Sequence, residues 1–184
     1  MQDTLSEHPP EPLPRTPLLA GAVLGCMVVA WLFVMGLTGW YLEAARLQLL
    51  WVVVALHLGV LVVTLWRTRT TSGYRRQVGL GLMTSAVAAV IVFVGSAVLT
   101  TVALPGYFEE LHTVRERELR EGGMAQAEVE ETLDGIAASQ TPTGHAFAGL
   151  MGTLGTGFVI SSVAAAFLRD RRRAVPGSPR GPAT

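Results

Sequence analysis

His57 is the one His, Asp, Glu, Lys or Arg inside any of the long apolar runs of this chain. It lies near the middle of Leu47–Trp66, and Thr64 shares its helical face. An imidazole in hydrocarbon is costly without a partner, so His57 and Thr64 form a candidate intramembrane polar site for a proton or a ligand. The plainer alternative is a neutral imidazole that donates one hydrogen bond to an interior carbonyl. No Asp or Glu lies in any apolar run to relay its proton. His112 and His145 fall near a glutamate-rich stretch, but their spacing matches no metal-binding signature. Cys26, the single cysteine, excludes an intramolecular disulfide and reads as a small buried hydrophobe.

Gly149, Gly152, Gly155 and Gly157 do not read as a phosphate loop, because no strand precedes them and they lie in an apolar run. On a helix, Gly149, Thr153, Gly157 and Ser161 recur every four residues, and Gly152 and Thr156 widen that stripe. Small residues at this spacing let a second backbone approach, within the chain or from another subunit. The third run has a similar small face at Gly81, Ser85, Ala89, Ser96 and Thr100, either packed or lining a hydrated path. H-E-x-x-H, G-x-S-x-G, C-x-x-C, a Walker loop and paired carboxylates in an apolar run are all absent from the sequence. No catalytic, cofactor-binding or metal-binding residue is assigned, and no cofactor is expected.

The elements that must carry these residues are four uncharged apolar runs, at 17–42, 47–66, 78–104 and 146–168. About 20 residues at ~1.5 Å rise cross ~30 Å of hydrocarbon, so each is long enough to span a bilayer. Charged residues are 15% of the chain, against about a quarter in a soluble domain. The expected fold is an all-α membrane protein: four transmembrane helices, with an extracytoplasmic amphipathic helical hairpin at 105–145 between spans three and four. One transmembrane domain covers 17–173. The tails at 1–16 and 174–184 are rich in Pro or in Pro and Gly and are expected to be disordered. Asp3, Glu7 and Glu11 ahead of the first run are unlike a signal peptide, so that run is expected to be retained.

All fourteen basic residues are Arg, which fits a GC-rich bacterial genome. Ten lie before span one, between spans two and three, or after span four; four lie on the other side. The positive-inside rule then predicts a multi-pass bacterial inner-membrane protein with both termini cytoplasmic. Arg169, Arg171, Arg172 and Arg173 read as a stop-transfer anchor. Spans one and two join at Glu43–Arg46 and should be antiparallel neighbours.

The outer connection carries nine acidic and three basic residues, a net charge of −6. Pro105-Gly106 should end or kink the third span. A helix is expected over Tyr107–Glu121, with Tyr107, Leu111 and Val114 on one stripe and the pairs Glu116/Arg120 and Arg117/Glu121 at i,i+4. Gly122-Gly123 caps it. A second helix is expected from about Ala125 to Ser139, with Ala125, Val129, Leu133 and Ile136 inward, closed by Thr141-Pro142. Glu128, Glu130 and Glu131 then form a candidate docking surface.

The Arg-rich entry into span three, "LPGYFEEL", "EGGMAQAEVEE" and a Gly-rich last span ending in Arg resemble a bacterial family of small four-span membrane proteins. It is catalogued as domain of unknown function 4199. The resemblance covers 17–173. Members typically have an n-P-x-y/f-x-e segment after span three and a Gly-Ser/Thr-led second helix; here Leu104 precedes the proline and Ala125 replaces the hydroxyl cap. The resemblance implies no reaction.

The expected role is a non-enzymatic subunit, assembly partner or scaffold. The alternatives are a small transporter or channel component, and a lipid-modifying enzyme or accessory. Expected partners are the lipid bilayer and either another membrane protein or copies of this chain. A net charge of zero gives no drive toward nucleic acid.

Overall fold

The structure, a computed structural model, describes residues 15–43, 48–49, 51–68 and 73–168. The expected turn at 44–46, the Arg169–Arg173 cluster and the tails at 1–14 and 174–184 lie outside them. The described residues form α1 (Arg15–Leu37), a 3-10 turn (Trp40–Leu42), α2 (Trp51–Thr68) and α3 (Tyr74–Val98), which widens into a π-helical turn (Leu99–Ala103). After these come α4 (Tyr107–Glu121), α5 (Gln126–Ser139) and α6 (Pro142–Leu168). Helices α1, α2, α3 with its π turn, and α6 are each long and apolar enough to cross a membrane. Such helices satisfy every interior backbone group within themselves, which hydrocarbon demands.

Between 22% and 33% of each span is buried inside the protein, so most of its surface must meet something else. That surface is made of large apolar side chains, including Leu19, Trp51, Val90, Phe158 and Phe167. Many buried positions are small or weakly polar instead, among them Gly21, Gly25, Gly81, Thr84, Ser85, Ala88, Ala89, Thr153, Gly157 and Ser161, beside a few large ones such as Leu24 and Leu61. Water would reverse this distribution, and a bilayer permits it. The protein is a multi-pass membrane protein.

Helix α3 is the hub, packing most broadly on α6 and then on α1. Helix α2 closes the ring against α6 and α1 and touches α3 more lightly. Along α3 and α1, Gly21 meets Thr84 and Val87, Gly25 meets Ala88 and Ile91, and Gly95 meets Val29, so the two run parallel. A Cβ on Gly21 would stand 2.5 Å from the Thr84 carbonyl, and one on Gly25 would stand 2.8 Å from Ile91 Cβ. Only glycine allows this approach. Leu24, Val28, Ala88 and Val92 fill the centre, with Val53, Leu56 and Val60 of α2 packed over them.

Several boundaries differ from expectation. Helix α1 stops at Leu37 instead of Leu42, because Gly39 adopts φ 72° and turns the chain into the 3-10 turn. Cys26 is exposed on the lipid-facing side instead of buried. Helix α6 starts at Pro142, ahead of Ala146: Thr141 Oγ1 accepts from the Gly144 N–H at 3.0 Å, capping a helix with proline in its first turn. Thr141-Pro142 therefore opens α6. Pro105-Gly106 does end the third span, after a turn in which Leu104 N–H donates to Leu99 O at 2.8 Å. Thr100 and Thr101 hydroxyls bond Ser96 and Ala97 carbonyls there at 3.0 and 2.6 Å, which loosens the α-helical ladder.

Gly157→Leu should lower the melting temperature in detergent far more than Leu154→Phe. A Cβ at Gly157 would collide with Ser85, whereas Leu154 is only half-buried. Overpacking of this kind costs about 1–3 kcal/mol or more; equal melting temperatures would place Gly157 against lipid.

Candidate functional site

His57, Leu61, Thr64 and Leu65 are the buried face of α2. His57 is 1% exposed and lies 2.9 Å through Nδ1 from the Val53 carbonyl. A carbonyl can only accept, so Nδ1 carries the proton and Nε2 is left as an acceptor. Among the described residues Nε2 has no partner. Val53, Leu56 and Val60 of the same helix pack on Leu24, Val28, Ala88 and Val92, which sets His57 at the height of the central core. Thr64 donates to its own helix, at 2.7 Å from Val60 O.

The small-residue stripe of α6 faces α3. Gly157 sits against Ser85, Ser161 sits against Gly81, and Gly149 lies beside Val92 and Ser96. Thr153 is buried on the same stripe. Gly152 lies off it: the residue is exposed and a Cβ there would meet nothing within 4 Å. Three residues of helix rotate Gly152 away from Gly149, where four would bring it nearer to the same face. The expected small face of α3 is buried throughout, at Gly81, Ser85, Ala89, Ser96 and Thr100. Ser85 Oγ donates to Gly81 O at 3.0 Å, and Thr100 bonds as described above. Ser161 Oγ and Gln77 Oε1 are buried without partners among the described residues.

A second cluster lies where α4 meets the bundle. Tyr41, in the 3-10 turn, stacks on Tyr107 at 4.5 Å and 18° between planes. Its hydroxyl donates to Glu110 Oε2 at 2.7 Å. His145 of α6 stands 5.5 Å from Tyr107 and 5.9 Å from Phe108, between ring centroids. Burial pushes the Tyr41 phenol well above its ordinary range, and the hydrogen bond to Glu110 adds to this. Burial also raises Tyr107. Both phenols therefore stay protonated, and Tyr41 remains a donor. The cluster ties the end of α1, the start of α4 and the start of α6 together. Among the described residues, His, Cys, Asp and Glu nowhere gather in threes that could hold a metal.

Across the Gly122-Gly123 turn α5 packs on α4. The turn is a Schellman cap, with Gly123 at φ 80°, Met124 N–H donating to Leu119 O at 3.2 Å and Gly123 N–H to Arg120 O at 3.0 Å. Val129 and Leu133 are buried, and Glu128, Glu130 and Glu131 are exposed. Ala125 is exposed and is not part of the inward stripe; it takes the extended N-cap position of α5 instead. On α4, Arg120 pairs with Glu116 at 2.6 Å and Arg115 with Glu118 at 2.7 Å.

The profile of the family described as "Protein of unknown function (DUF4199)" matches residues 19–170. The chain belongs to that family. No curated protein and no solved structure matches it. The match takes in every element of the DUF4199 chain described above except the first turn of α1. At Ala125 and Leu104 backbone geometry makes the local bonds. The Ala125 carbonyl accepts from the Glu128 N–H at 3.0 Å and the Val129 N–H at 2.9 Å without a side-chain cap, and Leu104 closes the π turn through its own N–H.

Sequence reasoning did not find the aromatic cluster. The one signal available was the aromatic pair Tyr107-Phe108 directly after Pro105-Gly106, and nothing nearby named Tyr41 or His145 as its partners. A double-mutant cycle of Tyr41→Phe and Glu110→Gln should give a coupling of about 1 kcal/mol in detergent melts. Additive effects would mean that the bond contributes nothing. Leu133→Asp should open new protease sites between Gly106 and Pro142 while the four spans stay inserted; an unchanged digest would show that α5 is not a packed element.

Proposed function

We propose that this protein is a non-enzymatic subunit, assembly partner or scaffold of a bacterial inner membrane. Both termini and the α2–α3 connection lie in the cytoplasm in this reading, and α4 and α5 lie outside. The observation that carries it is the acidic face of α5. Val129 and Leu133 turn inward, so Glu128, Glu130 and Glu131 all stand exposed. Two of the nearby arginines, Arg115 and Arg120, pair within α4. The remaining negative surface suits a basic partner and would be repelled by anionic headgroups. The hydroxyls of α3 support the same reading, since they bond their own helix and pack against α6. Ten arginines against four support the orientation.

A transport reading has one observation behind it, the unpartnered Nε2 of His57 at core height. Proteoliposome flux that disappears in His57→Ala would favour it over the scaffold. Flux that persists in that variant would remove His57 from the argument.

Reversing Glu128, Glu130 and Glu131 to Arg should leave the melting temperature within a degree or two, because substitutions at exposed sites change stability little. The same change should release a stoichiometric partner that co-purifies with the native protein in mild detergent. Retention of that partner would refute the docking surface. Alkaline phosphatase fusions should be active at Gln126 and inactive at Thr71 and Gly177; activity at Thr71 would invert the orientation.

A further inference from the structure

Between α1 and α2 the ring opens into a groove of about 590 Å³. Ala20 on α1 and Ala55 and Gly59 on α2 form part of its lining, and the space above Gly59 is empty to 4 Å. The lining extends from Thr16 to Met27 on α1 and from Arg67 back to Ala55 on α2. At ~1.5 Å per residue these lengths are ~16 and ~18 Å. Half of a ~30 Å hydrocarbon core is ~15 Å. The groove is therefore one leaflet deep, running from the interface to about the midplane.

Its polarity is arranged the same way. The wall is apolar except toward the interfacial mouth, which Thr16 of α1 and Thr64 and Arg67 of α2 line, with Arg15 next to Thr16 in sequence. Among the described residues lining the groove, Arg67 is the one charged side chain. A second groove, of about 430 Å³, lies between α2 and α6. Among the described residues it is lined by Leu58, Val62, Val163, Phe167 and other apolar side chains. The face of α2 toward α1 thus combines a leaflet-deep apolar slot with a cation at its mouth.

We propose that the α1–α2 groove is a binding site for one anionic phospholipid. An acyl chain lies along Ala20, Ala55 and Gly59, and Arg67 with Thr16 holds the phosphate. Arg is suited to this because its planar fork engages phosphate in a fixed geometry, and a basic pocket between spans at the interface attracts anionic headgroups. A lipid held only by the apolar wall would exchange with its neighbours regardless of headgroup. The cation is what makes the site selective. The site serves whichever leaflet meets this end of the bundle, so it stands independently of the orientation and of the acidic face of α5.

The test is native mass spectrometry of the delipidated full-length protein, titrated with phosphatidylglycerol or phosphatidylcholine of matched chains. The native protein should bind one phosphatidylglycerol about fivefold more tightly than phosphatidylcholine. Arg67→Gln should reduce phosphatidylglycerol binding to the phosphatidylcholine level. Gly59→Phe, which grows into open space, should abolish binding of both while the melting temperature holds. Val163→Phe, in the second groove, should change neither. Equal binding of the two lipids by the native protein would overturn the proposal. So would phosphatidylglycerol binding that survives Gly59→Phe, or that falls as much in Val163→Phe.

Discussion

A bilayer gives no reward for burying leucine, because lipid tails solvate it as well as another helix does. Four apolar helices therefore associate only where their backbones can come close enough for dispersion contacts that lipid cannot match. In this protein that condition is met along α3, which approaches α1 through Gly21, Gly25 and Gly95 and approaches α6 through Gly81 and Gly157. Val87, Ile91 and Val29 pack onto the glycines of the α1–α3 line, and many other large side chains are displayed outward. The hub position of α3, the peripheral position of α2 and the burial of the serines and threonines all follow from where glycine allows contact. Hydroxyls are tolerated in this interior because most of them bond a carbonyl one turn back on their own helix.

The end of the bundle that carries α4 and α5 is organised by different means. Gly39, the π turn at Leu99–Ala103 and the Thr141 cap each redirect the chain within a few residues. They deliver Tyr41, Tyr107, Phe108 and His145 to one place. Aromatic stacking and one hydrogen bond to Glu110 then join three separate segments. The two parts of the protein are thus held by different interactions, close backbone contact within the spans and ring packing above them.

Much of this was legible in the chain because the signals are local. Long uncharged runs identify the spans, and the limits Tyr107 and Glu121 of α4 follow from Pro105-Gly106 before it and Gly122-Gly123 after it. What failed was local chemistry with two meanings. Thr141-Pro142 serves equally as a stop for α5 and a start for α6, and only the hydrogen bond from the Gly144 N–H to Thr141 decides it. Cys26 and Gly152 were misplaced because in a helix apolar on all sides hydrophobicity does not mark the inward face. The Tyr41–Glu110 bond joins residues 69 positions apart, and no pattern near either one specifies the other.

The contact between α3 and α6 has a property that neither helix shows alone. Each contributes the same five-residue word, glycine followed four places later by serine: Gly81 to Ser85, and Gly157 to Ser161. Because the helices run in opposite directions, Gly81 meets Ser161 and Ser85 meets Gly157. The seam thus has a local two-fold axis lying across it, between the two pairs, that exchanges α3 with α6. Each helix is donor of the peg and owner of the hole in equal measure. Exchanging glycine and serine across either pair conserves the summed volume, so the complementarity belongs to the pair and not to either residue. At this seam a single chain makes with itself the contact that two identical antiparallel helices would make with each other.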